Sequence, residues 1–293
     1  MRRIVASLIG LSFLSVSIAT PAATRHHRHH RRAADIVAGM PALRSSSALV
    51  VDENTSSVLL SKNPDAVIPI ASITKLMTAL VVLEAGQSTD EMITLTRTER
   101  PGSRGGPSRL TTGATLSRGD LLHLALMASE NRAAYVLGSR YPGGLPACIA
   151  AMNAKARALG MLHSRFTDPT GLSSGNMASP EDLSKLVIAA SQNSLIRNYS
   201  TDDRHSVLVG RRRVEFRNTD NLVANPNWNI VVQKTGYTVD AGRCLVMKTI
   251  IEDRPIVIVL LDSYGKYTRI ADAKRIRDWI HLRANERVEH AAR

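Results

Sequence analysis

Residues 71–83 read ASITKLMTALVVL, an apolar stretch at helical spacing that carries Ser72-Ile73-Thr74-Lys75 at its start. In a helix, residues i and i+3 share a face, so the Ser72 hydroxyl and the Lys75 amine come within reach of each other. A serine needs a base to become a nucleophile, and an amine serves as one only when its pKa is lowered. Alone, S-x-x-K also describes a capped helix with a surface lysine, so the rest of the chain decides between the two.

Towards the N-terminus, Ser47 to Asp52 and Val58 to Lys62 are β-rich runs around Glu53-Asn54-Thr55, a predicted hairpin. Towards the C-terminus, Leu121 to Ala128 repeats the helical spacing. Pro142-Gly143-Gly144 precedes a predicted helix over Leu145–Leu159 that Gly160 ends. Ser179-Pro180-Glu181-Asp182 is a helix start, with serine as cap, proline in the first turn and acids at the positive end of the dipole. Val207 to Phe216 reads as a polar hairpin through Gly210. Ile230–Lys234, Arg243–Ile251 and Ile256–Asp262 read as strands, and Ile270–Arg283 as a closing helix. Strands at both ends with helices between predict an α+β fold: one antiparallel sheet built from both chain ends, with a mainly helical insert.

Of 293 residues, 44% are hydrophobic, enough for a core, and the formal charge is +13. Residues 1–23 combine Arg2-Arg3, an apolar run from Ile4 to Ile18 and small residues to Ala23, the pattern of a cleaved secretory signal peptide, with cleavage favoured after Ala19. That predicts export, to the periplasm, with no transmembrane span in the mature protein. Residues 24–44 contain four histidines and four arginines within 25–32, a solvated basic linker suited to anionic polymers. Six arginines precede residue 33 (2, 3, 25, 28, 31 and 32), so of the +13 only +7 belongs to residues 33–293. Arg211-Arg212-Arg213 is too short a basic cluster for a nucleic-acid reader, and no specific nucleic-acid partner is expected. Cys148 and Cys244 are the only cysteines, which excludes a disulfide framework and a Cys-rich zinc site while leaving a single disulfide open.

Two further motifs follow the first. Ser129-Glu130-Asn131 lies at the end of the Leu121–Ala128 helix, and Lys234-Thr235-Gly236, followed by Tyr237, closes a strand run. Each is weak alone; in this order, each at the end of an appropriate element, S-x-x-K, S-x-N and K-T-G form the set of penicillin-binding proteins and class A β-lactamases. With them go SRGDLLHLALMASENRAA (117–134), FTDPTGLSSGN (166–176), NTDNLV (218–223) and KTGYTVDAGRC (234–244). Over residues 45–283 the chain resembles the low-molecular-mass penicillin-binding proteins, serine D-alanyl-D-alanine peptidases. It is most similar to the penicillin-binding protein 7 type of D-alanyl-D-alanine endopeptidase.

The resemblance implies a β-lactamase/DD-peptidase-like fold, a catalytic domain over 45–284 and a polar tail over 285–293. It implies cleavage of D-alanyl cross-links in peptidoglycan through an acyl-enzyme on Ser72, with β-lactam antibiotics as acylating inhibitors and neither cofactor nor metal. Lys75, kept neutral by neighbouring positive charge from Lys234, takes the Ser72 proton, and Ser129 relays it to the leaving amine. Asn131, Lys234, Thr235, Gly236 and Tyr237 bind substrate, and the Ser72 and Tyr237 N–H groups form the oxyanion hole. The absence of a C-terminal amphipathic anchor favours the soluble endopeptidase type. A D-alanyl-D-alanine carboxypeptidase is the alternative, and a β-lactamase a weaker one, because Arg165 stands where a class A enzyme has its water-activating glutamate. Glu130 is expected to be a solvated carboxylate, Asp168 a turn residue, and His163 and His205 ordinary surface residues.

Overall fold

A computed structural model describes residues 39–101 and 106–291, with side chains to residue 284. The predicted signal peptide and residues 24–38 of the linker lie outside the described residues. Strands β1 (Ser45–Asp52) and β2 (Ser57–Lys62) form the expected hairpin. A short strand β3 (Ile68–Pro69) leads into a single 3-10 turn, Ala71–Ile73, and helix α1 (Thr74–Glu84). Every residue of α1 from Thr74 to Val82 is buried, so this helix is surrounded by protein on all sides.

Strands β4 (Met92–Thr94) and β5 (Thr115–Ser117) pair and precede α2 (Arg118–Met127), which the Ser117 side chain caps by accepting from the Asp120 N–H. Helix α3 (Asn131–Ser139) follows at once, and α4 (Gly144–Ala158) starts where Gly143 takes φ +82. Strand β6 (Met177–Ala178) pairs with β3. Helix α5 (Pro180–Ser191) has Ser179 as its predicted cap, and α6 (Ser194–Thr201) comes next. Strands β7 (Arg204–Val209) and β8 (Arg212–Arg217) form the hairpin around Gly210.

The chain then returns to the first sheet as β9 (Asn229–Thr238), β10 (Gly242–Ile251) and β11 (Arg254–Ser263). The result is a five-stranded antiparallel sheet in the order β2-β1-β11-β10-β9. Both chain ends build it, as predicted, and the helices lie in the insert. The alternation along β11 shows why its apolar run is unbroken. Ile256, Ile258 and Leu260 face the closing helix α7 (Thr268–Ala291), while Val257, Val259 and Leu261 face the helical insert.

Three boundaries differ from expectation. Lys234-Thr235-Gly236 lies inside β9, paired with Val246, Leu245 and Cys244 of β10, and the strand continues to Thr238. Helix α7 runs to Ala291, through most of the stretch expected to be a tail. The last linker residues are packed: the Asp272 carboxylate accepts from the Arg44 and Ser45 N–H groups at 3.0 and 2.7 Å, and Trp279 donates to the Gly39 carbonyl. Cys148 in α4 and Cys244 in β10 are both buried free thiols, with pKa values pushed up to about 12 by burial.

Candidate active site

Ser72 sits in the middle of the 3-10 turn, and Ala71 before it takes φ +47, left-handed backbone that a non-glycine residue rarely adopts. Two segments hold this turn. Gly171 lies so close that a Cβ there would meet the Ala71 carbonyl oxygen at 1.9 Å. On the other side a Cβ on Gly236 would lie 3.0 Å from the Ile70 carbonyl oxygen and 3.2 Å from the Ser72 nitrogen. Glycine in K-T-G thus lets β9 run against the backbone of Ser72.

Lys75, the second residue of the buried helix, is wholly buried. Its Nζ lies 2.8 Å from Ser72 Oγ, 2.8 Å from Asn131 Oδ1 and 2.6 Å from the Thr170 carbonyl oxygen. Burial lowers its pKa to about 7, against the opposing influence of the Asp168 and Glu130 carboxylates. Burial is therefore the dominant cause, where the sequence suggested a neighbouring positive charge. A neutral amine has two N–H donors and one lone pair. With Asn131 and Thr170 accepting the two hydrogens, the lone pair is left for the Ser72 hydroxyl.

Lys234, also wholly buried, donates to the Thr235 carbonyl at 3.0 Å. Its pKa is lowered by burial and then by Lys75, with Asp220 acting in the opposite direction. Ser129 takes φ +58 at the junction of α2 and α3, a left-handed turn that lets the chain leave one helix and enter the next within three residues. Thr235 Oγ1 pairs with Thr219 Oγ1 at 2.6 Å. All these side chains except the lysines open on a cleft of about 420 Å³ bounded by Ser72, Ser129, Asn131, Thr235, Gly236 and Tyr237.

Several assignments change. Glu130 is a helix cap: its Oε1 accepts from the Arg132 N–H at 3.1 Å and from Ser108 Oγ at 2.7 Å, so it is fixed and half-buried. Asp168 is the turn residue expected, accepting from the Thr170, Gly171 and Ser173 N–H groups at 2.6, 2.9 and 2.9 Å. Burial works to raise its pKa, but these bonds and the one from the Thr170 hydroxyl win and lower it. The same turn aims the Thr170 carbonyl at Lys75. His163 is exposed, but His205 is half-buried, bonded to Asp120 at 2.8 Å and stacked on His123 at 4.0 Å.

Sequence reasoning missed Thr219, Asn221 and Arg269, which also line the cleft. The first two stand in the quoted NTDNLV stretch, a signal that was available. Arg269, on α7, carried none; it is 8% exposed, and its Nε–H is buried without an acceptor. Among the described residues no helix is long and apolar enough to cross a membrane, and no cluster of three or more His, Cys, Asp or Glu side chains could hold a metal ion.

A serine hydroxyl on a buried lysine of lowered pKa, a second lysine on the adjacent strand and a sheet with a helical insert suit a serine peptidase of the DD-peptidase class. Residues 34–265 match the peptidase S11 family, described as D-alanyl-D-alanine carboxypeptidase, and the chain belongs to that family. It is 47% identical over 285 residues to a D-alanyl-D-alanine endopeptidase of Pseudomonas aeruginosa, covering 96% of this chain and 89% of that one. To a D-alanyl-D-alanine endopeptidase of Escherichia coli it is 46% identical, covering 93% and 88%. The Streptomyces K15 DD-transpeptidase has the same fold: TM-score 0.77 at 24% identity, covering 82% of this chain and 97% of that one.

Proposed function

We propose that this protein is an exported, periplasmic endopeptidase that cuts D-alanyl cross-links in peptidoglycan through an acyl-enzyme on Ser72. The observation that carries the reading is the 2.8 Å contact between Ser72 Oγ and a wholly buried Lys75 amine with its pKa near 7. The 46–47% identity to two D-alanyl-D-alanine endopeptidases supports the cross-link as substrate.

Neutral Lys75 takes the Ser72 proton as Oγ attacks the carbonyl of the D-alanyl residue. The oxygen of that carbonyl becomes an oxyanion between the Ser72 and Tyr237 N–H groups, a preorganised stabilisation worth about 3 kcal/mol per donor in related acyl transfers. The proton passes by way of Ser129 to the leaving amine, the C–N bond breaks, and an ester on Ser72 remains. Water then attacks that ester, giving its proton to Lys75, and Ser72 is regenerated as the carboxylic product leaves. Lys234, Thr235 and Arg269, whose side chain lines the cleft, hold the carboxylate beside the scissile amide, and Asn131 orients both Lys75 and the peptide. A β-lactam follows the same acylation and stays as an ester.

The test is digestion of purified muropeptides by the mature protein, with the products weighed. Conversion of cross-linked dimers into monomers is expected. Loss of terminal D-alanine alone would make it a carboxypeptidase, and turnover of penicillin within minutes would make it a β-lactamase. Ser72→Ala should abolish both hydrolysis and labelling by penicillin; a variant that still hydrolyses would refute the mechanism.

A further inference from the structure

The cleft does not end at the carboxylate-binding residues. It continues past Arg269 to the β11–α7 junction, where Arg243, Lys266, Tyr267 and Ile270 complete its walls. This outer half has a composition unlike the catalytic half. Three cations line it, and no carboxylate does among the described lining residues. Two exposed tyrosines each carry a cation on the ring: Arg243 sits 4.3 Å from the centroid of Tyr237, and Lys266 5.3 Å from that of Tyr267. The ring face attracts and orients each cation.

The rim beyond is solvent-facing. Arg243 pairs with Tyr237 on one side and with Ser263 on the other, which puts the β9–β10 turn and the end of β11 at the same edge of the sheet. Tyr237, Val239, Tyr264 and Tyr267 all belong to this edge, and all are exposed, Val239 at 90% and Tyr264 at 95%. The three other tyrosines of the chain, Tyr135, Tyr141 and Tyr199, are half-buried. Exposed aromatic and aliphatic side chains gather at this rim, where Asp240 and Asp262 are exposed as well; the cleft wall itself, with three cations and no carboxylate among its described residues, suits an anionic partner with apolar or sugar faces.

We propose that Lys266 and Tyr267, with Arg243, form the subsite for the acceptor strand, the half of the cross-link that leaves with the amine. The proposal rests on the endopeptidase reading above and deepens it. A terminal D-alanine and a D-alanyl cross-link made to a D-centre amine that bears a carboxylate both place one carboxylate beside the scissile nitrogen, so the residues that hold that carboxylate cannot tell the two substrates apart. They differ further out. D-alanine stops at a methyl group, whereas the acceptor side of a cross-link continues into a second stem peptide with its own carboxylates and a sugar. Only the cross-linked substrate reaches the outer half of the cleft, where the cations and the tyrosine rim stand. These side chains are positioning residues: they meet no reacting atom, and their effect falls on binding of one substrate and not the other.

The experiment compares cross-linked muropeptide dimers, monomeric pentapeptide muropeptides and penicillin, using the mature wild-type protein and Lys266→Glu, Tyr267→Ala and Lys266→Arg. For Lys266→Glu the KM for the dimer should rise about tenfold with kcat changed less than about twofold, as for loss of binding that ground state and transition state share. Tyr267→Ala should raise it by a smaller factor, and Lys266→Arg should restore it. Release of D-alanine from the pentapeptide and the acylation rate by penicillin should stay at wild-type values, because neither ligand extends that far. A dimer KM unchanged in Lys266→Glu, or equal losses on all three ligands, would overturn the proposal. If wild-type protein cuts dimers and only these variants behave differently from expectation, the endopeptidase reading stands and the subsite alone fails. If wild-type protein releases D-alanine but leaves dimers intact, both fail.

Discussion

Replacing Gly171 with alanine tests how the nucleophile is held. Gly171 takes φ +82, and a Cβ there would stand 1.9 Å from the Ala71 carbonyl oxygen, 2.4 Å from its carbon and 2.9 Å from the Ser72 nitrogen. Even a 3.0 Å contact requires the carbonyl to retreat by about 1.1 Å, and the atom in the way is backbone. The turn has little room to give, because Ile70 donates to the Asn176 carbonyl and the Gly236 backbone lies against its other side. A left-handed alanine costs about 1–2 kcal/mol, and forced overpacking about 1–3 more. The combined loss is about 3 kcal/mol, a fall in Tm of roughly 6–12 °C for a domain of this size. The displaced Ser72 matters more, since misplacing a reacting group by about 1 Å costs on the order of a hundredfold in rate. The assay is acylation by a fluorescent penicillin under conditions where circular dichroism shows the variant folded. Wild-type acylation together with an unchanged Tm would refute the claim that Gly171 sets the nucleophile turn.

Three other outcomes are expected. Because burial brings Lys75 from 10.5 to about 7, the amine is a free base above that pH and an ammonium below it, so acylation should fall as pH drops through about 7; a flat profile from pH 5 to 8 would show that Lys75 is not the base. Glu130→Gln keeps an oxygen to cap α3 but removes a charge that raises the Lys75 pKa, so the acid limb should move to lower pH; no movement, or a shift upward, counts against the coupling. Asp272→Ala removes a wholly buried carboxylate that accepts from Arg44 N, Ser45 N and Ser45 Oγ, and should lower stability by about 2–4 kcal/mol, read from urea unfolding midpoints.

Much of this protein was legible in one dimension because the relevant forces act within a few residues. The i, i+3 spacing brings Ser72 and Lys75 together on any helix, Ser179 caps α5 through its own neighbourhood, and Gly210 turns the β7–β8 hairpin. The apolar run of β11 is unbroken, so both of its faces need cover, and helices supply it. Order and spacing of the three motifs then pointed to the family.

What the tertiary structure decided depends on groups far apart in the chain. S-x-x-K places an amine near a hydroxyl, but only a helix enclosed on all sides lowers that amine to about 7, and no local pattern encodes enclosure. K-T-G looked like a strand end, whereas Gly236 lies within β9 because the strand must pass the nucleophile turn at contact distance. Glu130 found Ser108, His205 found Asp120, and Arg269 reached the cleft from the closing helix. Hydrogen-bond and helix-cap preferences are carried by short stretches of sequence. Desolvation, close backbone approach and the outer wall of the cleft exist only once the two ends of the chain have met in one sheet.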